Sequence, residues 1–262
     1  MSVHTVSPTF EKDMNISGYF QSAKSGGQKT VYFPIIHGEK IVLKIIRGGI
    51  DDRFLREMRI YDQFKSSDGI PKIKKITNYG SDTILFEEYI EGNTLSDIIT
   101  SYVGNSNIIK HLMLQISQIM KPIWEARYVH RDIKPENIII RPSGNPVIID
   151  FGIARDLDDS SITGAGFQPR SWPFASPEQY EGDKTKISYR TDFFSLGSLS
   201  YYLYHNRLPF GSSEAEIAMK FSSKDELFIC DAGFTLEPFC KESMRFSPVD
   251  RPRFIDDFIN LL

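Results

Sequence analysis

The sequence is poor in cysteine: its 262 residues include only Cys230 and Cys240, and these do not form a Cys-x-x-Cys pair. Disulfide-stapled secreted domains and cysteine-rich zinc modules need more cysteines than this, so we expect two reduced thiols, buried or half-buried. No apolar run is long enough to cross a bilayer, and the first residues lack the basic and apolar regions of a secretory signal. The formal net charge of −3 gives no global field that would attract nucleic acid or an anionic membrane. We therefore expect a cytoplasmic protein that binds neither.

What the sequence does contain is two regions with different patterns. Short β-branched and aromatic runs at residues 30–36, 40–46 and 83–86 predict strands, and one helix is predicted at residues 51–64. After Gly92 the pattern becomes helical, with predicted helices at residues 107–125, 195–204 and 214–221. In the first of these, the pattern places Ile108, Leu112, Ile116 and Ile119 on the buried face. The sequence therefore predicts an α+β fold in which a β-rich lobe precedes a mainly helical one, with a ligand cleft between them.

The chemistry is concentrated in residues 130–137, which read HRDIKPEN, and in residues 150–152, which read DFG. Two predicted strands, residues 138–140 and 147–149, are joined by a turn at residues 143–145, and such a hairpin would bring Asn137 and Asp150 close together. An amide oxygen and a carboxylate are ligands that suit Mg²⁺. Asp132 is a second carboxylate, placed to orient an incoming hydroxyl and accept its proton, and Lys134 can steady a transferring phosphate. This set of residues indicates phosphoryl transfer.

These two motifs resemble the catalytic loop and the DFG motif of Hanks-type serine/threonine protein kinases. The run GGQKTV at residues 26–31 is similar to loops of bacterial members. The resemblance implies the bilobal kinase fold: an extension at residues 1–15, then a single catalytic domain at 16–262, with an N-lobe at 16–88 that includes helix αC and a C-lobe at 89–262. It also implies that Asp132 is the catalytic base, that Asn137 and Asp150 hold Mg²⁺ (or Mn²⁺), and that Lys134 contacts the γ-phosphate of ATP.

The resemblance extends into the first third of the chain. Lys44, in the run IVLK, corresponds to the lysine that binds the α- and β-phosphates, and Glu57 to the helix αC glutamate that pairs with it. The resemblance further implies a nucleotide site formed by the backbone of Glu88 and Ile90 at the adenine edge, by Val31 and Val42 on the adenine face, and by Gly26 and Gly27 near the phosphates.

Two features of this region depart from the family pattern. A full glycine-rich loop would have glycine at positions 24, 26 and 29, but positions 24 and 29 are lysines. Lys24 and Lys29 either add charge at the phosphates or are simply exposed. Glu87 stands at the gatekeeper position, where the family more often has an apolar residue, and either reaches Lys44 or bonds to backbone. The sequence leaves both alternatives open.

The resemblance also assigns supporting roles in the second region. Glu178, in Ser-Pro-Glu, would pair with Arg251 in a buried bridge, and Asp192 would steady the catalytic-loop backbone. Arg131 would bind a phosphate on the activation loop, for which the candidate sites are Ser160, Ser161, Thr163 and Ser171. Alternatively, the acidic residues at 156, 158 and 159 already supply the negative charge.

The predicted function is therefore ATP-dependent phosphorylation of Ser or Thr in protein substrates, with autophosphorylation. Two other functions remain open: a pseudokinase that binds nucleotide or acts as a scaffold, supported by the degenerate glycine loop, and a kinase for a small molecule. The Ser-Pro-Glu segment and the helix around Asp192 argue against the small-molecule enzyme. The chain ends soon after Arg251, so we expect control by a regulatory partner, by a second copy of the chain, or by the activation loop.

Overall fold

The computed structural model describes residues 6–26, 29–47, 50–151, 155–156 and 172–262. The chain divides into two compact units, the first ending at Glu91 and the second running from Gly92 to Leu262. The lobe boundary that the sequence predicts, between residues 88 and 89, lies close to this division. None of the described helices is long and apolar enough to cross a lipid bilayer.

The first unit consists of one antiparallel sheet and two helices. Its elements are α1 (Pro8–Asp13), β1 (Ile16–Gly26), β2 (Lys29–Ile36), β3 (Glu39–Ile46), α2 (Asp52–Gln63), β4 (Ile73–Tyr79) and β5 (Asp82–Glu88). The strand order is β1-β2-β3-β5-β4. The α2 helix begins close to the predicted start at residue 51, where the Asp51 carboxylate caps the helix by accepting a hydrogen bond from Phe54 N at 2.7 Å.

Side chains alternate between the two faces of this sheet, and the two faces differ in chemistry. One face forms a hydrophobic core to which α1 contributes Phe10; its other members are Tyr32, Ile41, Leu43, Ile84 and Phe86. The opposite face carries Lys44 and Glu87. Helix α1 lies within residues 1–15, which were predicted to be an extension outside the catalytic domain. The sequence did not predict that this segment contributes to the core.

The second unit is mainly helical. Its elements are β6 (Asn93–Thr94), α3 (Ser106–Glu125), β7 (Tyr128–Val129), β8 (Ile138–Ile140), β9 (Pro146–Ile148), β10 (Arg155–Asp156), α4 (Pro177–Tyr180), α5 (Tyr189–His205), α6 (Glu214–Ser223), α7 (Glu237–Ser243) and α8 (Ile255–Ile259). Short 3₁₀ helices lie at Leu95–Ser101, Pro135–Asn137, Trp172–Phe174, Lys184–Lys186 and Pro248–Asp250. The α+β class predicted from the sequence is confirmed.

Helix α3 exists as predicted, but its buried face is rotated. Ile108 is 47% exposed, so its assignment to the buried face is wrong, while Ile109, Leu112 and Ile116 are buried. The buried stripe also includes Met113 and Met120, which the spacing from Ile108 leaves out. Both choices fit a 3.6-residue period, and only packing distinguishes them.

Helix α5 is buried on nearly all sides and organises the core of the second unit. Phe193 on α5 stacks on Phe258 with ring centroids 3.8 Å apart. Trp124 of α3 meets Phe193 edge-on at 5.1 Å. A helix without a polar face must lie inside a domain, so α5 provides a rigid support for the segments around it.

Gly92 is the first residue of the second unit and has a conformation that requires glycine. Its φ is 146°, and a Cβ atom at this position would overlap the carbonyl oxygen of Ile140. Both the dihedral angle and the close approach of two backbone segments exclude other residues.

Candidate active site

Strands β8 and β9 form the predicted hairpin, with Ile138 opposite Ile148. The hairpin places Asn137 beside the residues that follow β9, because Ile149 N donates to Asn137 O at 2.9 Å. Asp150 comes directly after Ile149 and has a left-handed backbone, with φ at 65°. The structure therefore brings the backbones at Asn137 and Asp150 together, as the spacing predicts.

Asp132 lies at the centre of a small hydrogen-bonded cluster. Its Oδ2 accepts a hydrogen bond from Asn137 Nδ2 at 2.9 Å and lies 2.9 Å from Lys134 Nζ. Asn137 Nδ2 also donates to the Asp132 carbonyl at 2.9 Å. The Asp132 and Lys134 side chains are 15% and 21% exposed, so they are partly shielded but reachable. A carboxylate held in one orientation by two donors is suited to accept a proton from a hydroxyl.

Asp192, on α5, holds the backbone on the N-terminal side of this cluster. Its carboxylate accepts hydrogen bonds from His130 N, Arg131 N and Trp124 Nε1, each at 2.9 Å. Arg131 has φ at 69°, a conformation that costs free energy for a non-glycine residue and needs support from its surroundings. Burial raises the pKa of Asp192, while nearby His130 and the three N–H donors act in the opposite direction.

His130 links the loop to the DFG segment. Its ring lies 4.6 Å from the ring of Phe151, and its Nε2 lies 3.3 Å from the Ile149 carbonyl. Both His130 and Phe151 are buried. The loop that carries Asp132 and the segment that carries Asp150 are thus fixed to each other within the second unit.

Gln179 is a supporting residue that sequence reasoning missed. Its Nε2 donates to the Arg131 carbonyl at 2.8 Å, and its Oε1 accepts from Ser176 N at 3.2 Å. Ser176 and Gln179 form a capping box at the start of α4. The pattern Ser-x-x-Gln signals such a box, so this contact had a signature in the sequence.

Glu178 and Arg251 meet in a buried, two-pronged ion pair. Arg251 donates to Glu178 Oε1 at 2.7 Å and to Oε2 at 2.8 Å. Thr191, on α5, donates to the same carboxylate at 2.9 Å. This arrangement ties α4 to α5 and to the segment before α8.

In the first unit, Lys44 is hydrogen-bonded to a carboxylate of the neighbouring strand, that of Glu87. Lys44 Nζ donates to Glu87 Oε2 at 2.7 Å, and both side chains are buried. Glu57 Oε1 lies 4.0 Å from Lys29 Nζ. This differs from the pairing of Lys44 with Glu57 that the resemblance implies, and it answers the open question on Glu87. The strand register explains the difference, since it places Glu87 diagonally across from Lys44 on one face of the sheet.

The other residues expected at the nucleotide site lie along the same sheet and the segment after it. Val31 is opposite Lys44, and Val42 is opposite Glu87. Glu88 N donates to Lys72 O at 2.8 Å, which fixes the end of β5, and Ile90 is buried.

Gly26 ends β1, opposite Lys29. The remaining predicted positions lie outside the described residues: Gly27, Ser160, Ser161, Thr163 and Ser171. Their assigned roles stay predictions.

The residues of the second unit fit a divalent cation. Both N–H groups of the Asn137 amide are directed at Asp132 oxygens, which leaves Oδ1, a hard oxygen, as the atom that can meet a metal. Among the described residues there is no group of three or more His, Cys, Asp or Glu side chains that could hold a metal ion. Mg²⁺ often takes only one or two side-chain ligands and fills its shell with phosphate oxygens and water, so an amide and a carboxylate such as those of Asn137 and Asp150 are a donor set that fits it.

The sequence matches the model of the protein kinase domain over residues 27–249. The chain belongs to the protein kinase domain family. Bacterial serine/threonine-protein kinases are among its relatives, which agrees with the Hanks-type resemblance, and the fold predicted for that family is confirmed.

Three relatives illustrate the similarity. The serine/threonine-protein kinase PrkC of Bacillus subtilis is 34% identical over 218 residues, covering 78% of this chain and 33% of that protein. The serine/threonine-protein kinase pkn2 of Myxococcus xanthus is 30% identical over 203 residues, covering 71% of this chain and 24% of that protein. A probable serine/threonine-protein kinase PknB of Bifidobacterium longum is 31% identical over 205 residues, covering 71% and 29%. The chain thus spans a third or less of these relatives, and it corresponds to their kinase domain.

Proposed function

We propose that this kinase domain transfers the γ-phosphoryl group of ATP to Ser or Thr hydroxyls of protein substrates. The observation that carries the proposal is the Asp132 cluster. A partly shielded carboxylate is oriented by Asn137 Nδ2 and Lys134 Nζ, each at 2.9 Å, on a loop that Asp192 anchors from a buried helix. Such preorganisation is what phosphoryl transfer requires of a protein, because positioning and electrostatics supply most of the catalysis.

The reaction assigns a role to each residue of the cluster. The substrate hydroxyl gives its proton to Asp132 as its oxygen forms a bond to the γ-phosphorus, the bond from that phosphorus to the β–γ bridging oxygen breaks, and ADP leaves. Lys134 lies beside Asp132 and neutralises charge on the phosphoryl oxygens. Asn137 and Asp150 would hold Mg²⁺ (Mn²⁺ is the alternative), which would supply charge neutralisation for the phosphates. In the first unit, Lys44 is the cation for the α- and β-phosphates.

The class of substrate is part of the proposal. Lys134 within the HRDIKPEN loop supports Ser or Thr as acceptor, and the relatives are named serine/threonine-protein kinases. The buried Glu178–Arg251 pair supports a protein acceptor, because it steadies the end of the activation segment, where the family places its substrate platform. We place the activity in cytoplasmic signalling, with control by a partner protein, a second copy of the chain, or phosphorylation of the activation segment.

The test compares the wild-type protein with Asp132→Asn, which keeps the shape of the side chain and removes the base. Both are incubated with Mg²⁺, γ-labelled ATP and a general protein acceptor, and phosphosites are located by mass spectrometry. We expect phosphoserine or phosphothreonine with the wild type and none with the variant. Equal label with both proteins, or no transfer by wild type that still binds ATP, would contradict the proposal. The second result would indicate a nucleotide-binding pseudokinase, and label confined to small metabolites would indicate a small-molecule kinase.

A further inference from the structure

Three charged side chains share one face of the five-stranded sheet in the first unit. Lys44, on β3, stands opposite Val31 on β2 and Leu85 on β5. Lys29 and Glu87 each lie two residues from one of these partners, so the alternation of side chains places both on the face of Lys44. Glu57 reaches this group from α2 through Lys29.

The four charges form two ion pairs that differ in distance and in burial. The Lys44–Glu87 pair has a 2.7 Å hydrogen bond, and its side chains are 7% and 4% exposed. The Lys29–Glu57 pair is 4.0 Å apart, with side chains 24% and 7% exposed. Glu57 Oε1 is buried and has no hydrogen-bond partner among the described residues. The strong, desolvated bond therefore belongs to Glu87, on the neighbouring strand.

From this geometry we infer that Glu87 is the positioning residue of Lys44, and that Glu57 acts on Lys29 instead. A short hydrogen bond between adjacent strands holds the lysine on a rigid element, where a helix contact would depend on the placement of α2. Glu57 then orients a second cation, Lys29, which stands where the family pattern has the last glycine of its phosphate loop. The inference rests on the proposed function, since it assigns the residues that aim cations at ATP.

The inference changes which residues should be energetically coupled. If Glu87 positions Lys44, removing Lys44 takes away the hydrogen bond that the buried Glu87 carboxylate accepts, so the two substitutions are strongly non-additive. Glu57 should couple with Lys29 in the same way, more weakly because that pair is longer and more exposed. The pairing that the family resemblance implies would instead couple Glu57 with Lys44.

The experiment is a set of double-mutant cycles built from Lys44→Met, Glu87→Gln, Glu57→Gln and Lys29→Met. The equilibrium constant for urea unfolding is measured without nucleotide, so this part does not depend on activity. We expect about a tenfold or larger coupling between Lys44 and Glu87 and a smaller one between Lys29 and Glu57. The coupling of Lys44 with Glu57 should also be smaller than that of Lys44 with Glu87, because Glu57 acts on Lys44 only through its charge on Glu87. The exposed Glu39–Lys74 pair of the same sheet is the matched control, expected to couple by about twofold or less.

The second readout separates positioning from simple structural support. Glutamine at position 87 can still accept a hydrogen bond from Lys44 through its amide oxygen, whereas leucine cannot. We expect Glu87→Leu to lower kcat/KM for ATP about tenfold or more below Glu87→Gln, even where the two variants unfold at the same urea concentration. Neither change should lower kcat/KM further in the Lys44→Met background.

Strong coupling of Glu57 with Lys44, and additive effects of Glu87 with Lys44, would overturn the inference. So would Glu87→Leu and Glu87→Gln variants that retain the wild-type kcat/KM. If the wild type transfers no phosphate while Lys44 and Glu87 couple strongly in unfolding, the proposed function fails and the pairing stands.

Discussion

Arg251 donates one hydrogen bond to each oxygen of the Glu178 carboxylate, at 2.7 and 2.8 Å, with both side chains almost fully buried. The guanidinium also donates to the carbonyls of Arg245, Phe246 and Arg190. One arginine therefore satisfies a buried carboxylate and three backbone oxygens from two segments of the chain. A lysine, with a single nitrogen, could not replace this network.

Arg251→Ala should reduce the free energy of unfolding by about 3–5 kcal/mol, because it leaves the Glu178 carboxylate buried and unpaired. Urea denaturation monitored by tryptophan fluorescence measures the change. Arg253→Ala, two residues away at an exposed position, is the matched control and should change stability by about 0.5 kcal/mol or less. Similar losses of unfolding free energy in both variants would show that the buried Glu178–Arg251 pair stabilises the fold no more than an exposed arginine does.

Asp192→Asn should loosen the backbone at His130 and Arg131. An asparagine keeps the size of the side chain but replaces one acceptor oxygen with a donor, so at least one of the three N–H groups loses its partner. We expect a loss of about 1–3 kcal/mol in stability and a lower kcat. Hydrogen exchange at the two backbone amides provides the direct measurement.

The control for that substitution is Asp256→Asn, which removes an exposed carboxylate that pairs with Lys121. It should leave amide exchange at His130 and Arg131 unchanged. If Asp192→Asn leaves exchange at these amides equally slow, the anchoring role is wrong.

Cys230 should react slowly with thiol reagents in the folded protein. Burial raises the pKa of its thiol to about 11, so at pH 8 only about 0.1% is thiolate. Cys240 is fully buried, and its pKa is raised as well. Labelling should speed up about tenfold per pH unit above pH 8, while urea-unfolded protein should label rapidly at both sites. Fast labelling of the folded protein at pH 8 would contradict this burial.

Titration of Glu87 should make the folded protein less stable as the pH rises above the ordinary pKa of a glutamate. Burial raises the pKa of its carboxyl above the ordinary 4.5, although Lys44 acts in the opposite direction. Between these two pKa values the folded state holds a proton that the unfolded state has lost, so the free energy of unfolding falls as pH rises through that window. Glu87→Gln cannot titrate and should lack this decline. A wild-type protein whose stability rises relative to Glu87→Gln over that window would refute the prediction.

Local signals predicted the elements of the fold well. The helix predicted at residues 51–64 corresponds to α2, and the spacing of residues 137 and 150 around a hairpin predicted that their backbones meet. On the buried face of α3, Leu112 and Ile116 were assigned correctly and Ile108 wrongly, because Ile108 and Ile109 are both apolar and only packing selects between them. Sequence periodicity does not contain that information.

The partner of Lys44 could not be predicted for a related reason. The sequence offers both Glu57 and Glu87 as partners for Lys44. Which of them is hydrogen-bonded to Lys44 depends on the register of β3 against β5 and on the placement of α2. Family resemblance favoured Glu57 because it carries over a contact along with a motif. Gln179, by contrast, had a local signature in its capping box and could have been found.

Helix α1 has a practical consequence for anyone who trims this chain. The family match begins at residue 27, but Phe10 and the whole of β1 lie before it and belong to the same hydrophobic core and sheet as β2 and β3. Cutting at the family boundary would remove an edge strand and expose Tyr32, Ile41 and Leu43 to solvent. A truncation designed for expression should therefore start upstream of Ser7, whose hydroxyl caps the helix. We expect a shorter version to aggregate rather than to give a smaller folded domain.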